Sequence, residues 1–134
     1  MAATPPIHVL FVDDDPSIHR SLRAVFPSTR PSWRFSFAQS AAEGLRCLEQ
    51  DAIDVVVSDN AMSPMTGVEM LEIIAVRYPA VGRCLWSGTA RPCPAADVFV
   101  AKPGSVAQVE AAVEIAIKKA ELRSAALRWQ GWGP

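Results

Sequence analysis

The chain has 134 residues, half of them apolar and 20% charged, with a formal net charge of −1. That length supports one domain with a single core, and so small a net charge excludes a global field that would gather nucleic acid or an anionic membrane surface. No apolar run approaches the ~18 residues of a membrane span, and Cys47, Cys84 and Cys93 follow neither CxxC nor zinc-ligand spacing, which favours structural thiols in a reducing cytoplasm.

Met1 to Pro6 lacks the basic and apolar stretches of a secretory signal and reads as a short flexible lead. Ile7 to Val12 is a compact apolar run suited to a strand buried on both faces. It ends in Asp13-Asp14-Asp15-Pro16, where Asp15 suits an N-cap and Pro16 the first helical position. Ile18, Leu22, Val25 and Phe26 then recur at helical spacing. Trp33 to Ala38 reads as a second strand, bounded upstream by Pro27 and Pro31. Ser40-Ala41-Ala42-Glu43 has capping-box spacing and opens a helix carrying Leu45 and Leu48.

Ile53 to Ser58 (IDVVVS) is β-branched and reads as a third strand. A loop with Pro64 follows Asp59, then a helix from about Gly67 to Arg77, stopped at Tyr78-Pro79. Arg83 to Ser87 and Asp97 to Ala101 read as strands four and five. From Ser105 to Arg128 one long helix, roughly 36 Å, carries Val106, Val109, Val113, Ile117 and Ala120 on one stripe. Strands alternating with helices imply an α/β fold: a doubly wound, five-stranded parallel sheet of flavodoxin-like order 2-1-3-4-5. The domain is expected over 7–120, with 1–6 as the lead and 121–134 as helix extension and tail.

In such sheets chemistry gathers at the carboxyl ends of the strands. Asp13 and Asp14 follow strand one, Asp59 follows strand three, Ser87 ends strand four and Lys102 follows strand five. Three carboxylates on one rim repel, and a hard divalent cation with oxygen ligands cancels that cost. Mg²⁺ suits, because it keeps waters and also takes a phosphate oxygen. Lys102 adds a mobile positive charge and Ser87 a hydroxyl donor. Asp59 is then a metal-neighboured nucleophile facing an electrophile-stabilising clamp, which is most of what phosphoryl transfer needs.

The segments FVDDDPSI, DVVVSDNAMSPMTGVEML, LWSG and VFVAKP stand in the order found in response-regulator receiver domains, and the chain resembles that family over about residues 7 to 120. The resemblance implies that Asp14 is the direct metal ligand, Asp13 acts mainly through water, and the backbone carbonyl of Ala61 is a further ligand. It implies Asp59 as phosphoacceptor, Lys102 as the phosphate-binding lysine joined to Pro103 by a cis bond, Ser87 as the switch hydroxyl and Phe99 as the rotating aromatic. The implied donor is a sensor histidine kinase or phosphotransfer protein, and the output an unidentified protein or domain. A looser similarity, in WRFSFAQSAAEGLRCL and YPAVGRCLWSG, points to receivers coupled to cyclic-di-GMP hydrolase-type modules.

Other residues carry structural readings. Asp15 reads as a cap, Met62 and Met65 as loop and core packing, and His8 and His19 as lying far from the rim. Core packing is the alternative for Phe99. Trp129 and Trp132 belong to a tail, disordered or a docking edge. Two rival functions stand beside the main one: a receiver-like binding module that acts without phosphorylation, and a haloacid-dehalogenase-like phosphatase using Asp13-Asp14-Asp15.

One departure from the family concerns the connection after strand four. Gly88 to Ala96 (GTARPCPAA) is too short for a helical crossover and holds Pro92 and Pro94, so helix four is expected to be lost or reduced to a turn. One side of strands four and five should then lie bare, with Trp86 filling part of the gap and the strand 4/5 and last-helix face available for a homodimer. The small residues Ala61 and Thr89 near the phosphate leave room for water, so a labile phosphoryl mark is expected.

Overall fold

Five short runs of β-branched and aromatic residues pair into one parallel sheet in the computed structural model, which describes residues 6–89 and 93–130. The strands are β1 (His8–Val12), β2 (Arg34–Ala38), β3 (Val55–Ser58), β4 (Gly82–Ser87) and β5 (Val98–Ala101), in the order β2-β1-β3-β4-β5. The helices are α1 (Pro16–Thr29), α2 (Ala41–Gln50), α3 (Gly67–Arg77) and α4 (Val106–Gln130). This is the expected flavodoxin-like architecture.

Alternation along the strands divides the core in two. Val9, Phe11, Val55, Val57 and Cys84 meet Leu22 and Phe26 of α1 and Val109 and Val113 of α4 on one face. Leu10, Val12, Val56 and Leu85 meet Leu48 of α2 and Met70, Leu71 and Ile74 of α3 on the other. A central strand buried on both faces explains why VVVS of β3 contains no exposed residue.

The helix starts follow their capping chemistry. The Asp15 side chain accepts from the Ser17 backbone N–H, with Pro16 at the first position. Ser40 accepts from Glu43 N–H at 3.1 Å, but the Glu43 carboxylate reaches Gln39 N–H instead of closing the box on Ser40. The full reciprocal box lies elsewhere, between Thr66 and Glu69 at the start of α3.

Three expectations are corrected. Pro27 does not bound the second strand: it lies inside α1, whose end is set three residues later by the Arg30 N–H bonding Phe26 C=O at 2.7 Å. Trp86 does not cover the face of the missing helix. Its strand parity turns it to the opposite face, against the α1–α4 cluster. The bare region beside β4 is also narrower than expected. No helix joins β4 to β5 among the described residues, yet Leu85 and Arg83 are buried, and Cys93, Ala95 and Ala96 pack over the Leu85 side. Phe99, 40% exposed, and Ala101 are what the sheet leaves open on β5.

Charge fixes this short connection. Buried Arg83 donates from Nε to Ala95 C=O at 2.6 Å, and Asp97 accepts from Arg83 N–H at 2.9 Å and Arg123 Nη1 at 2.8 Å. Arg123 also donates to Pro79 C=O at 2.6 Å, so α4 is tied to the segments just ahead of β4 and of β5. The expectations for Met1–Pro5, Pro92 and Trp132 lie outside the described residues.

Candidate functional site: an acidic rim with one lysine

The sheet ladder itself places the rim residues. Asp13 N–H bonds Ala38 C=O at 3.1 Å, Asp59 N–H bonds Val12 C=O at 3.0 Å, and Lys102 N–H bonds Ser87 C=O at 2.9 Å. Each is one rung beyond the last strand residue, so the backbone is still held by the sheet while the side chain is free to face the loops. Asp13, Asp14 and Asp59 each offer a carboxylate oxygen within 4.8 Å of the other two. Asp13 and Asp59 are buried and Asp14 is exposed.

Lys102 spans this group. Its ammonium lies 2.9 Å from Asp13 Oδ2 and 3.6 Å from Asp59 Oδ1, and 5.0 Å from the centre of the Trp86 ring. At an effective dielectric near 20, the repulsion between the two buried carboxylates is roughly 3–4 kcal/mol, which one ammonium between them largely offsets. Three carboxylates facing one ammonium still leave an excess of negative charge, and an oxygen-lined pocket with that excess fits a hard divalent cation. Ala61 is exposed in the loop after Asp59, and the Lys102–Pro103 bond is cis.

Ser87 is buried, and among the described residues its hydroxyl has only long contacts, 3.4 Å to Thr89 Oγ1 and 3.4 Å from Thr89 N–H. A hydroxyl so loosely held is free to turn toward a new acceptor. Phe99 is 40% exposed and belongs to neither half of the core.

His19 corrects the expectation that both histidines lie far from the rim. It is buried, and its Nε2 lies 2.7 Å from Asp13 C=O. Its signal was present in the sequence, since His19, Leu22 and Phe26 share the buried face of α1. His8 does lie at the other end of β1, with Nε2 2.6 Å from Ser36 Oγ.

Two further residues shape the site without any signal in composition or spacing. Asn60 holds α3 in place, accepting from Gly67 N–H at its carbonyl and from Val68 N–H at Oδ1. Gly67 lies so close to the acceptor's backbone that a Cβ there would sit 1.9 Å from Asp59 O. The absence of a side chain is what lets α3 begin against the acceptor strand.

Residues 9–114 match the sequence profile of the family described as response regulator receiver domain. The transcriptional regulatory protein GlrR of Escherichia coli K12 is 36% identical over 76 residues, 57% of this chain but 17% of its own length. The chain therefore aligns with about a sixth of that relative. Among solved structures, the signal receiver domain of an HD domain-containing protein from Pseudomonas fluorescens Pf-5 superposes with a TM-score of 0.81 at 22% identity, over 93% of this chain and 96% of its own. The response regulator TrrA of Thermotoga maritima, solved with Mg²⁺ and beryllium fluoride, gives 0.74 at 22% identity over 82% and 98%.

Proposed function

This chain belongs to the response regulator receiver domain family, and from that premise we propose that it takes a phosphoryl group from a phosphohistidine onto Asp59. The observation that carries the reading is the Lys102 ammonium bridging Asp13 and Asp59 across residues far apart in sequence. A carboxylate oxygen of Asp59 forms the new P–O bond as the P–N bond of the donor breaks. The electron pair goes to the imidazole nitrogen, which then takes a proton. Lys102 pairs with the phosphoryl oxygens, and Ser87 turns its hydroxyl toward one of them.

Asp13, Asp14, Asp59 and the Ala61 carbonyl would hold Mg²⁺, which neutralises charge on the transferred group when bound. The chemistry is performed on the chain itself, once per mark. Water later attacks phosphorus and releases phosphate. The small residues Ala61 and Thr89 beside the site support ready access for that water.

The donor is a sensor histidine kinase or phosphotransfer protein. An apolar groove of about 470 Å³ opens beside Lys102, between α1 and the start of α4, lined by Ile18, Leu22, Val25, Trp86, Pro103 and Val106. Its position supports docking of an apolar helix of the donor next to the acceptor. Output passes through a partner or through self-association.

Intact-protein mass after treatment with acetyl phosphate tests the reading. One added phosphoryl group is expected with Mg²⁺, and none with EDTA or in Asp59→Ala. An unmodified, folded wild type, also inert toward histidine kinases, would replace this reading with a binding module that acts without phosphorylation.

A further inference from the structure

Every polar atom of Asp13 has a partner. Its N–H bonds Ala38 C=O at 3.1 Å, Oδ1 accepts from Asp15 N–H at 2.9 Å, and Oδ2 accepts from the Lys102 ammonium at 2.9 Å. The ladder, the following turn and the site's own charges supply these three. The fourth atom, the carbonyl oxygen, lies 2.7 Å from His19 Nε2. A carbonyl oxygen only accepts, so Nε2 carries the hydrogen of this bond. Its donor reaches back from α1, six residues on.

Packing alone calls for an apolar residue at this position. His19, Leu22 and Phe26 form the buried face of α1, and the His19 ring lies tilted against Phe37 of β2, 5.4 Å between ring centres. An apolar side chain would fill the same space without the cost of burying an imidazole. What the imidazole adds is a donor, held at one height by a rigid ring packed on Phe37. The peptide that receives it is the one joining Asp13 to Asp14. Because that group is planar, a bond to its oxygen fixes ψ of Asp13 and φ of Asp14 together. The directions in which the two acidic side chains leave the backbone are then coupled. Asp14 is exposed and lies past the end of β1, so the ladder does not set its direction. The three carboxylates come within 4.8 Å of one another with this peptide in place.

We propose that His19 is a positioning residue of the acidic rim: through the Asp13 carbonyl, its Nε2–H sets the relative directions of the Asp13 and Asp14 carboxylates. Two properties of the rim follow from that setting, the pairing of Asp13 with Lys102 and the affinity for a divalent cation. The second rests on the phosphoacceptor reading of the site, and the first does not. His19 supplies no ligand atom, since its Nε2 is spent on the carbonyl. It acts through one peptide group, as the outer partners of metal ligands do when they orient the residues that bind.

Two variants of the full chain separate the donor from the ring. His19→Leu keeps apolar packing and removes the donor, whereas His19→Gln keeps an N–H at the reach of Nε2. The first readout is the acetylation rate of Lys102 in EDTA, followed by peptide mass spectrometry with Lys118 and Lys119 of the same chain as references. Lys102 is expected to react about 10-fold faster in His19→Leu and within about 2-fold of wild type in His19→Gln. The references should not change, which separates a freed lysine from a loosened fold. The second readout is Mg²⁺ affinity by calorimetry, expected to fall about 10-fold in His19→Leu and to recover in His19→Gln. Wild-type labelling and Mg²⁺ affinity in His19→Leu overturn the proposal. So does a folded His19→Gln protein as impaired as His19→Leu, because the ring and not the donor would then matter. If His19→Leu does not fold, ¹⁵N-histidine NMR of the wild type decides. A slowly exchanging Nε2–H that shifts on adding Mg²⁺ is expected, and an Nε2 without hydrogen, or one indifferent to Mg²⁺, overturns the proposal. A wild type that binds no Mg²⁺ would remove the phosphoacceptor reading, and the Lys102 labelling would still decide the role of His19.

Discussion

Gly67→Ala adds one methyl group at the point where α3 leaves the acceptor strand. The new Cβ would lie 1.9 Å from Asp59 O, 2.8 Å from Asp59 C and 2.9 Å from Ser58 Oγ. Two of those atoms are backbone, held by the rung from Asp59 N–H to Val12 C=O. Relief requires the start of α3 and the acceptor to part by about 1 Å, at the upper end of the 1–3 kcal/mol that overpacking costs. A displacement of about 1 Å at a reacting group costs on the order of 100-fold in rate. We therefore expect urea unfolding to show a loss of about 3 kcal/mol, and phosphorylation by acetyl phosphate to slow about 100-fold. Gly44→Ala is the control, because its Cβ meets only side-chain tips, Val12 Cγ2 at 3.1 Å and Met70 Sδ at 3.2 Å. It should leave the phosphorylation rate within a few-fold of wild type. A Gly67→Ala protein as stable and as fast as wild type would refute the close-approach argument.

Lys102→Ala should slow phosphorylation by about 100-fold or more and lower the melting temperature in the absence of Mg²⁺. Part of that stability should return on adding Asp59→Asn, which removes one of the two repelling buried carboxylates. Burial pushes the Cys84 thiol up to about 12, so alkylation at pH 8 should leave Cys84 unmodified in the native protein and label it after urea denaturation. Burial, reinforced by the nearby Arg34 charge, holds His8 below its ordinary value of 6.5. The unfolded chain then binds the extra proton first, so this contribution to stability is complete above pH 6.5 and is lost as pH falls through 6.5 toward the lower folded value. The difference in unfolding free energy between wild type and His8→Gln should shrink over that window, and a pH-independent difference would contradict the assignment.

The sheet was legible because its strands are short, apolar and followed by punctuating polar residues: IDVVVS before Asp59 and VFVA before Lys102 leave little freedom in placing their ends. The rim was legible for the same reason, since the position of a strand end fixes which residues share it. What failed was facing and proximity. Trp86 precedes the rim residue Ser87 and therefore turns to the opposite face, a consequence of strand parity that a gap-filling role for a large side chain overlooks. Pro27 reads as a boundary in isolation, yet the Phe26 side chain anchors that turn of α1 in the core. The clearance at Gly67 and the bond from His19 to the Asp13 carbonyl depend on elements meeting in space, and no local pattern encodes those distances.

The most direct test of the central claim is to phosphorylate the protein with Mg²⁺ and acetyl phosphate, reduce the acyl phosphate with borohydride, and map the product by peptide mass spectrometry. Reduction converts a phosphorylated aspartate to homoserine, and homoserine is expected at position 59 alone. Homoserine at Asp13 or Asp14, or phosphate retained as a stable ester on Ser87, would contradict the assignment of Asp59 as the acceptor.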